Sequence, residues 1–353
     1  MKMRNKSNPL KVGAVLLVLA SLVMAQGARN GTEGASHLLI PQGARYLSGG
    51  GAAATVDGME AAYWNPAGLA RIGSNISAIF SNRSYIADIN VNYLGTAIKA
   101  GRFGTVGLTA RTLDVGDIEV TDVFNPDGTG EVISPSFFVV GITYSRLLSD
   151  RTSMGISFNY ISEDIHRVGA SGFTVDVGVQ YQNLLDLEGF DIGVALRNFG
   201  NPMRYGGSGL WTSAEVQTAD RKLDWYKVEA MAFDMPFVMD IAANYNLLGL
   251  DLGVTYEVNH FSQDHLKFML QYGYEDIAAV RVGYLIDAEE VKDDDATADI
   301  DEADLHENIF ADASFGATVN LERFTGINLS IDYALFMTTY FDDNHVFSLR
   351  MGF

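Results

Sequence analysis

His345-Val346-Phe347-Ser348-Leu349-Arg350-Met351-Gly352-Phe353 (HVFSLRMGF) closes the chain. Phe347, Leu349, Met351 and Phe353 are apolar, while Ser348, Arg350 and Gly352 between them are polar, charged or small. Successive side chains of a strand point to opposite faces, so this period of two gives one wholly apolar face and one that is not. A strand of this kind suits a soluble sandwich, with its polar face in water, or a membrane barrel, with its apolar face in lipid. The rest of the chain decides between them.

The alternation recurs from Asn75 onward. Met154, Ile156, Phe158 and Tyr160 share a face opposite Gly155, Ser157 and Asn159. Phe173, Val175, Val177, Val179 and Tyr181 alternate with Thr174, Asp176, Gly178 and Gln180. Similar runs are Phe190 to Arg197, Leu250 to Val258 and Leu329 to Leu335. About fourteen segments follow, near 75–85, 90–101, 104–114, 135–148, 152–165, 171–184, 189–199, 229–246, 249–260, 265–275, 277–288, 308–321, 327–338 and 344–353. Most run about ten residues or more, longer than the typical sandwich strand and long enough to cross hydrocarbon. Tyr160, Tyr181, Tyr256 and Tyr284 end apolar faces, as an aromatic girdle at the lipid boundary requires. Tight turns (Gly101 to Gly104) alternate with long polar loops (Gly116 to Ser134). The expectation is an all-β, transmembrane antiparallel β-barrel of about fourteen strands over residues 73–353.

The amino-terminus fits export. Lys2, Arg4, Lys6 and Lys11 precede an apolar run from Val12 to Val23, and Val23-Met24-Ala25 suits cleavage. Residues 1–25 therefore read as a secretory signal peptide, too short for a spanning helix. Removing them takes away four positive charges and no negative ones, moving the formal net charge from −20 to −24. So acidic a chain is a poor partner for nucleic acid, whose phosphates need Lys and Arg. The chain has no Cys, which excludes a lipidated cysteine anchor, disulfides and a thiolate nucleophile or metal site.

With the apolar faces in lipid, the opposite faces line a lumen. Asp176, Asp191, Asp240, Asp251, Glu257 and Asp332 then point inward with Arg197, Arg281 and Arg350. Ionised groups near the midplane of the lipid face would cost a few kcal/mol each, so their confinement to one face itself supports a barrel. They are either a salt-bridged filling or a charged translocation path.

Between signal peptide and first strand lies a Gly- and Ala-rich segment with the reading of short helix and turn. It contains Gly43-Ala44-Arg45, Gly49-Gly50-Gly51, Asp57 and Trp64-Asn65-Pro66-Ala67-Gly68. This order strongly resembles the PorV/PorQ family of FadL-like outer-membrane barrels. Ala170 to Tyr181, Leu196 to Gly200, Tyr272 to Tyr284 and the terminal nonapeptide also fit, so the resemblance covers essentially the whole mature chain. It implies an amino-terminal plug over residues 26–72, carried by Gly43, Arg45, Gly50, Asp57, Trp64, Asn65, Pro66 and Gly68. Pro fixes φ and keeps its predecessor out of the α region, so Asn65-Pro66 is a rigid turn suited to plugging, with Trp64 wedged against the wall.

The resemblance further implies a place in the outer membrane, where assembly machinery reads Phe353 as a signal. It also implies handling of secreted cargo in a type IX-like system, with cargo proteins or translocon subunits as partners beside outer-membrane lipid. The alternative is a FadL-like transporter of hydrophobic small molecules. An apolar pocket at the extracellular mouth would favour transport, and a protein-sized groove of loops near 115–134, 200–225 and 287–307 would favour cargo. Trp211, Trp225, Tyr226 and Met231 suit either.

No catalytic constellation is present: His residues are scattered, and neither HExxH nor GxSxG occurs. The chain is expected to be no enzyme and to hold no cofactor or metal. Asp287 to Glu307 carries eleven acidic residues against Lys292, more than the resemblance implies. Its spacing fits no EF-hand, and a solvated extracellular loop is the expectation.

Overall fold

The computed structural model describes residues 34–46, 49–214, 224–260, 262–287, 310–338 and 341–353. The expected signal peptide, the first residues of the expected plug and the acidic stretch after Asp287 lie outside these. Fourteen antiparallel strands close into one barrel. They are β1 (Ile76–Ser84), β2 (Asn90–Lys99), β3 (Thr105–Asp114), β4 (Ser136–Leu147), β5 (Thr152–Ile165), β6 (Val168–Tyr181) and β7 (Phe190–Gly200). The second half is β8 (Val238–Leu247), β9 (Leu250–Asn259), β10 (His265–Tyr274), β11 (Ala278–Asp287), β12 (Phe310–Asn320), β13 (Asn328–Thr338) and β14 (Asn344–Gly352).

Sequence neighbours are sheet neighbours throughout, and β14 returns to pair with β1. Ile79 opposes Arg350 and Phe80 opposes Leu349 across that seam. Reciprocal main-chain bonds between Ile76 and Phe353, at 3.0 and 2.8 Å, finish it. Closure removes every free strand edge, which a sheet surrounded by hydrocarbon requires.

Burial is inverted relative to a soluble domain. Phe80, Leu94, Leu108, Ile142, Phe158, Val177, Val282 and Phe347 are all exposed on the outer face. Arg111, Asp176, Arg197, Asp240, Glu257, Arg281 and Asp332 are buried on the inner one. No described helix is long and apolar enough to cross a membrane; the strands supply the apolar belt instead.

Tight connections, at Ala100–Gly104, Leu248–Gly249 and Glu275–Ile277, share an end with both Ile76 and Phe353. The long connections, 115–135 and 201–237, lie at the other end. Asp287 ends the eleventh strand at this second end, so the acidic connection leaves from there.

Two expectations need correction. The eighth strand begins at Val238, not near 229, because Pro236 has no N–H for a ladder. Ala232 and Phe233 instead pair with Met203 and Arg204 in a short ladder of the connecting loop. Tyr160 and Tyr284 are exposed as girdle residues should be, but Tyr256 is 6% exposed. Its hydroxyl donates to Asp264, 2.6 Å away in the following loop.

Candidate functional site in the plugged lumen

The plug is built from small residues. Ala52–Thr55 forms α1, Ala61–Trp64 forms α2, and Pro66–Arg71 continues as a 3-10 turn. Asn65 is extended at φ −161° and ψ 107°, as the residue before a proline prefers, and Pro66 opens the next turn where its missing N–H costs nothing. The Asn65 side chain, 0% exposed, accepts from the Ala67 N–H at 3.0 Å and donates to the Ala53 carbonyl at 2.6 Å. It also reaches the wall carbonyls of Val179 and Val194 at 3.2 and 3.3 Å. One buried amide therefore joins two plug helices and two strands.

The wall makes room for this. Gly95, Gly107, Gly155, Gly178, Gly193 and Gly253 stand on six different strands where a Cβ would collide with the plug. At Gly178 that Cβ would strike Asn65 Oδ1, and at Gly193 the Ala53 carbonyl. Only glycine lets two backbones approach so closely. Within the plug, a Cβ at Gly68 would meet the Val56 carbonyl, and one at Gly50 would meet the β10 backbone at Phe268 and Met269. Gly43, at φ +79°, faces the Glu60 side chain.

Charge is arranged in three groups. In the first, Arg197 donates to Asp240 at 2.7 Å and to Glu257 at 3.0 Å, and Lys267 pairs with the same Glu257 at 2.5 Å. The Arg197 guanidinium also stacks 5.0 Å from the Tyr63 ring and 5.7 Å from Trp64, tying wall to plug. In the second group Arg45 bridges Asp57 and Glu60, Arg350 grips Asp332 with two bonds at 2.6 and 3.0 Å, and Arg281 donates to Gln271 at 2.5 Å.

The third group stabilises backbone. Asp176 sits in a β6–β7 bulge, where it accepts from the Asn198 N–H and the Asn159 amide, both at 2.7 Å. Asp191 accepts from the Asn183 N–H at 3.0 Å, and Asp251 from Asn246 at 2.7 Å, both beside turns at the terminal end. All nine lumen charges singled out from sequence lie on inner-face positions, but most are engaged with one another or with turns. That arrangement fills the lumen more than it lines a path.

At the loop end, between plug and wall, lies a cavity of about 330 Å³. Leu39, Ile40, Pro41, Trp64, Leu285 and Phe336 give it apolar surface, and Arg83, Arg197, Glu257, Lys267 and Asn344 give it polar surface. Of the residues singled out, only Trp64, Arg197 and Glu257 are on this lining. Arg83, Lys267 and Asn344 were missed, although Arg83 follows Ser77, Ile79 and Ser81 at inner-face spacing on β1 and was legible as an inward charge. Beside the cavity, His37 lies 8% exposed and 3.3 Å from Glu163. Burial, helped by the Arg111 guanidinium, pushes its imidazole down to about 3. Among the described residues no group of His, Asp or Glu is arranged to hold a metal ion.

Neither a protein-family model nor a curated protein matches the sequence. The fold is nonetheless found among solved structures. The toluene transporter TodX of Pseudomonas putida superposes with TM-score 0.54 at 12% identity, covering 89% of this chain and 99% of TodX. A TodX variant, a monoaromatic hydrocarbon channel, gives TM-score 0.53 at 13% identity, with 89% and 99% covered. The monoaromatic hydrocarbon channel CymD gives 0.51 at 12% identity, with 92% and 98% covered. The chain is thus an all-β, closed barrel of fourteen antiparallel strands that shares its overall fold with TodX and CymD.

Proposed function

We propose that this chain is an outer-membrane channel for hydrophobic small molecules. The observation that carries this reading is the 330 Å³ cavity at the loop end, where aliphatic and aromatic side chains stand beside a few charged ones above the plug. Pockets of this size and character suit small ligands. The shared fold with TodX, a toluene transporter, and CymD, a monoaromatic hydrocarbon channel, supports it. A molecule enters between the loops, sheds water against Leu39, Ile40 and Phe336, and advances as plug contacts yield. Uptake of radiolabelled toluene and 1-octanol by cells whose outer membrane contains the protein tests this. Uptake above an empty-vector control is expected, and uptake equal to it refutes the reading.

The PorV/PorQ resemblance supports a second reading, in which the loops hold secreted protein at the outer membrane. Its structural support is the exposure of Trp211, Trp225, Tyr226 and Met231 on the 201–237 connection. Affinity capture from native membranes should then recover exported proteins or translocon subunits, and their absence refutes it.

A further inference from the structure

We infer that the plug parts from the barrel wall along β11–β14, and that the gap so opened is a hydrated passage for water and small ions from the loop end to the terminal end. This goes beyond the transport reading and stands apart from it, because it concerns where the plug opens and not what the cavity holds.

The plug is fastened unevenly. Toward β2–β9 the bonds are many. Tyr93 donates to the Met59 carbonyl at 2.8 Å, and Ser145 donates to the Ala67 carbonyl at 2.9 Å while accepting from the Ala70 N–H at 3.1 Å. Gln180 donates to the Ala53 and Val56 carbonyls at 3.3 and 2.9 Å, and Thr255 to the Gly49 carbonyl at 2.8 Å. Arg71 of the plug donates to Gln182 at 2.6 Å and to the Arg151 carbonyl at 3.0 Å. Toward β11–β14 the fastening is the Ala44 N–H, which donates to Ser348 Oγ at 2.9 Å.

The inward glycines repeat the contrast. A Cβ at Gly155, Gly178 or Gly193 would run into plug atoms at 2.3 Å or closer. The three atoms nearest a Cβ at Gly316, on β12, all belong to the wall and lie at 3.4 Å or farther.

Charge does not cross this seam. Arg45 is paired within the plug, to Asp57 and Glu60, while on the wall Arg350 is paired to Asp332 and Arg281 to Gln271. Among the described residues no ion pair joins the plug to β11–β14. Separation therefore leaves every charge with the partner it has, and avoids the cost of breaking a buried pair from one side. Ser348 likewise keeps its 2.8 Å bond to Ser81 when Ala44 withdraws.

The wall behind the seam descends directly from the cavity. Phe336 and Asn344 line the cavity. Below them Ala334 opposes Val346, Asp332 opposes Ser348 and Ser330 opposes Arg350, on the way to the terminal end. A gap bordered by two serines, an aspartate and an arginine is wetted once it opens, since water is the partner that such groups accept at least cost.

The chain has no Cys, so introduced thiols report alone. Ala334 on β13 and Ala195 on β7 are 1% and 0% exposed behind the plug, the first beside Ala44 and the second beside Ala54. In lipid nanodiscs, a small cationic methanethiosulfonate reagent should modify Ala334→Cys roughly tenfold faster or more than Ala195→Cys, because each further buried hydrogen bond to be broken slows opening by up to about tenfold. In planar bilayers, the disulfide of Ala44→Cys/Ala334→Cys should abolish spontaneous openings until reductant is added. That of Ala54→Cys/Ala195→Cys should leave them. Heat-shifted gel mobility, oxidised and reduced, confirms that each variant is a folded barrel. Equal modification rates, or a faster Ala195→Cys, overturn the inference, as do openings that persist under the first disulfide or vanish under both. A protein that neither opens nor is modified overturns it as well. Openings at the seam without uptake of toluene by cells leave the inference standing and remove the transport reading.

Discussion

Replacing Arg197 by Leu should destabilise the barrel far more than replacing both members of its main ion pair. Arg197, Asp240 and Glu257 are 3%, 2% and 6% exposed, so each charge has lost nearly all of its water. Lys267 stays with Glu257 when Arg197 is removed, but Asp240 has no other ion-pair partner among the described residues. Breaking a buried pair from one side leaves an uncompensated charge and costs about 3–5 kcal/mol. Replacing both sides by apolar residues of similar size is often close to neutral. Arg197→Leu should therefore lose about 3–5 kcal/mol, and Arg197→Leu/Asp240→Leu should recover most of that loss. Urea unfolding in detergent micelles, followed by tryptophan fluorescence, reads the difference. The single variant should also raise conductance in planar bilayers, because the stacking of Arg197 on Tyr63 and Trp64 is lost with it. A single variant within about 1 kcal/mol of wild type, or a double variant at least as unstable as the single, would refute the reasoning.

Gly178→Val should expel the plug from its seat against Asn65, giving a barrel that still shifts on heating but conducts ions more freely; unchanged conductance counts against the close approach described. The His37 imidazole, held near 3 instead of its ordinary 6.5, binds fewer protons folded than unfolded, so its contribution is present above pH 6.5 and is lost as pH falls from there toward 3. The urea midpoint of His37→Phe should accordingly fall less steeply than that of the wild type over this range, and parallel curves would exclude the effect. Deleting Phe353 removes the main-chain pair that seals β14 to β1, and pulse-labelled chains should assemble into heat-shifted barrels more slowly. Protease added to intact cells should cut within 288–307 and spare the plug; cleavage that needs a permeabilised membrane would invert the topology.

Strand number and strand face were legible in the sequence, and so was the sign of the inner surface. Each follows from local rules. Alternation at a period of two assigns Asp240 and Phe347 to opposite faces without reference to any neighbour, and a slip of one residue would bury every lipid-facing side chain. The Asn65-Pro66 turn is likewise written in two adjacent residues. Pro236 is equally local: it has no N–H for a ladder, so the eighth strand starts after it, at Val238, and not near 229. The tertiary structure decided which inward groups meet. Arg197 finds Asp240 and Glu257 on the next two strands because strand register brings them level, and it finds Tyr63 because the plug passes there. The inward glycines looked like ordinary polar-face spacers until the plug backbone was seen against Gly178 and Gly193. Arg83 could be read as inward, but the sequence could not show that its Nε and Nη2 find no hydrogen-bond partner among the described residues. Whether a buried charge is matched depends on every chain segment that reaches it, and that is settled only when the barrel has closed around its plug.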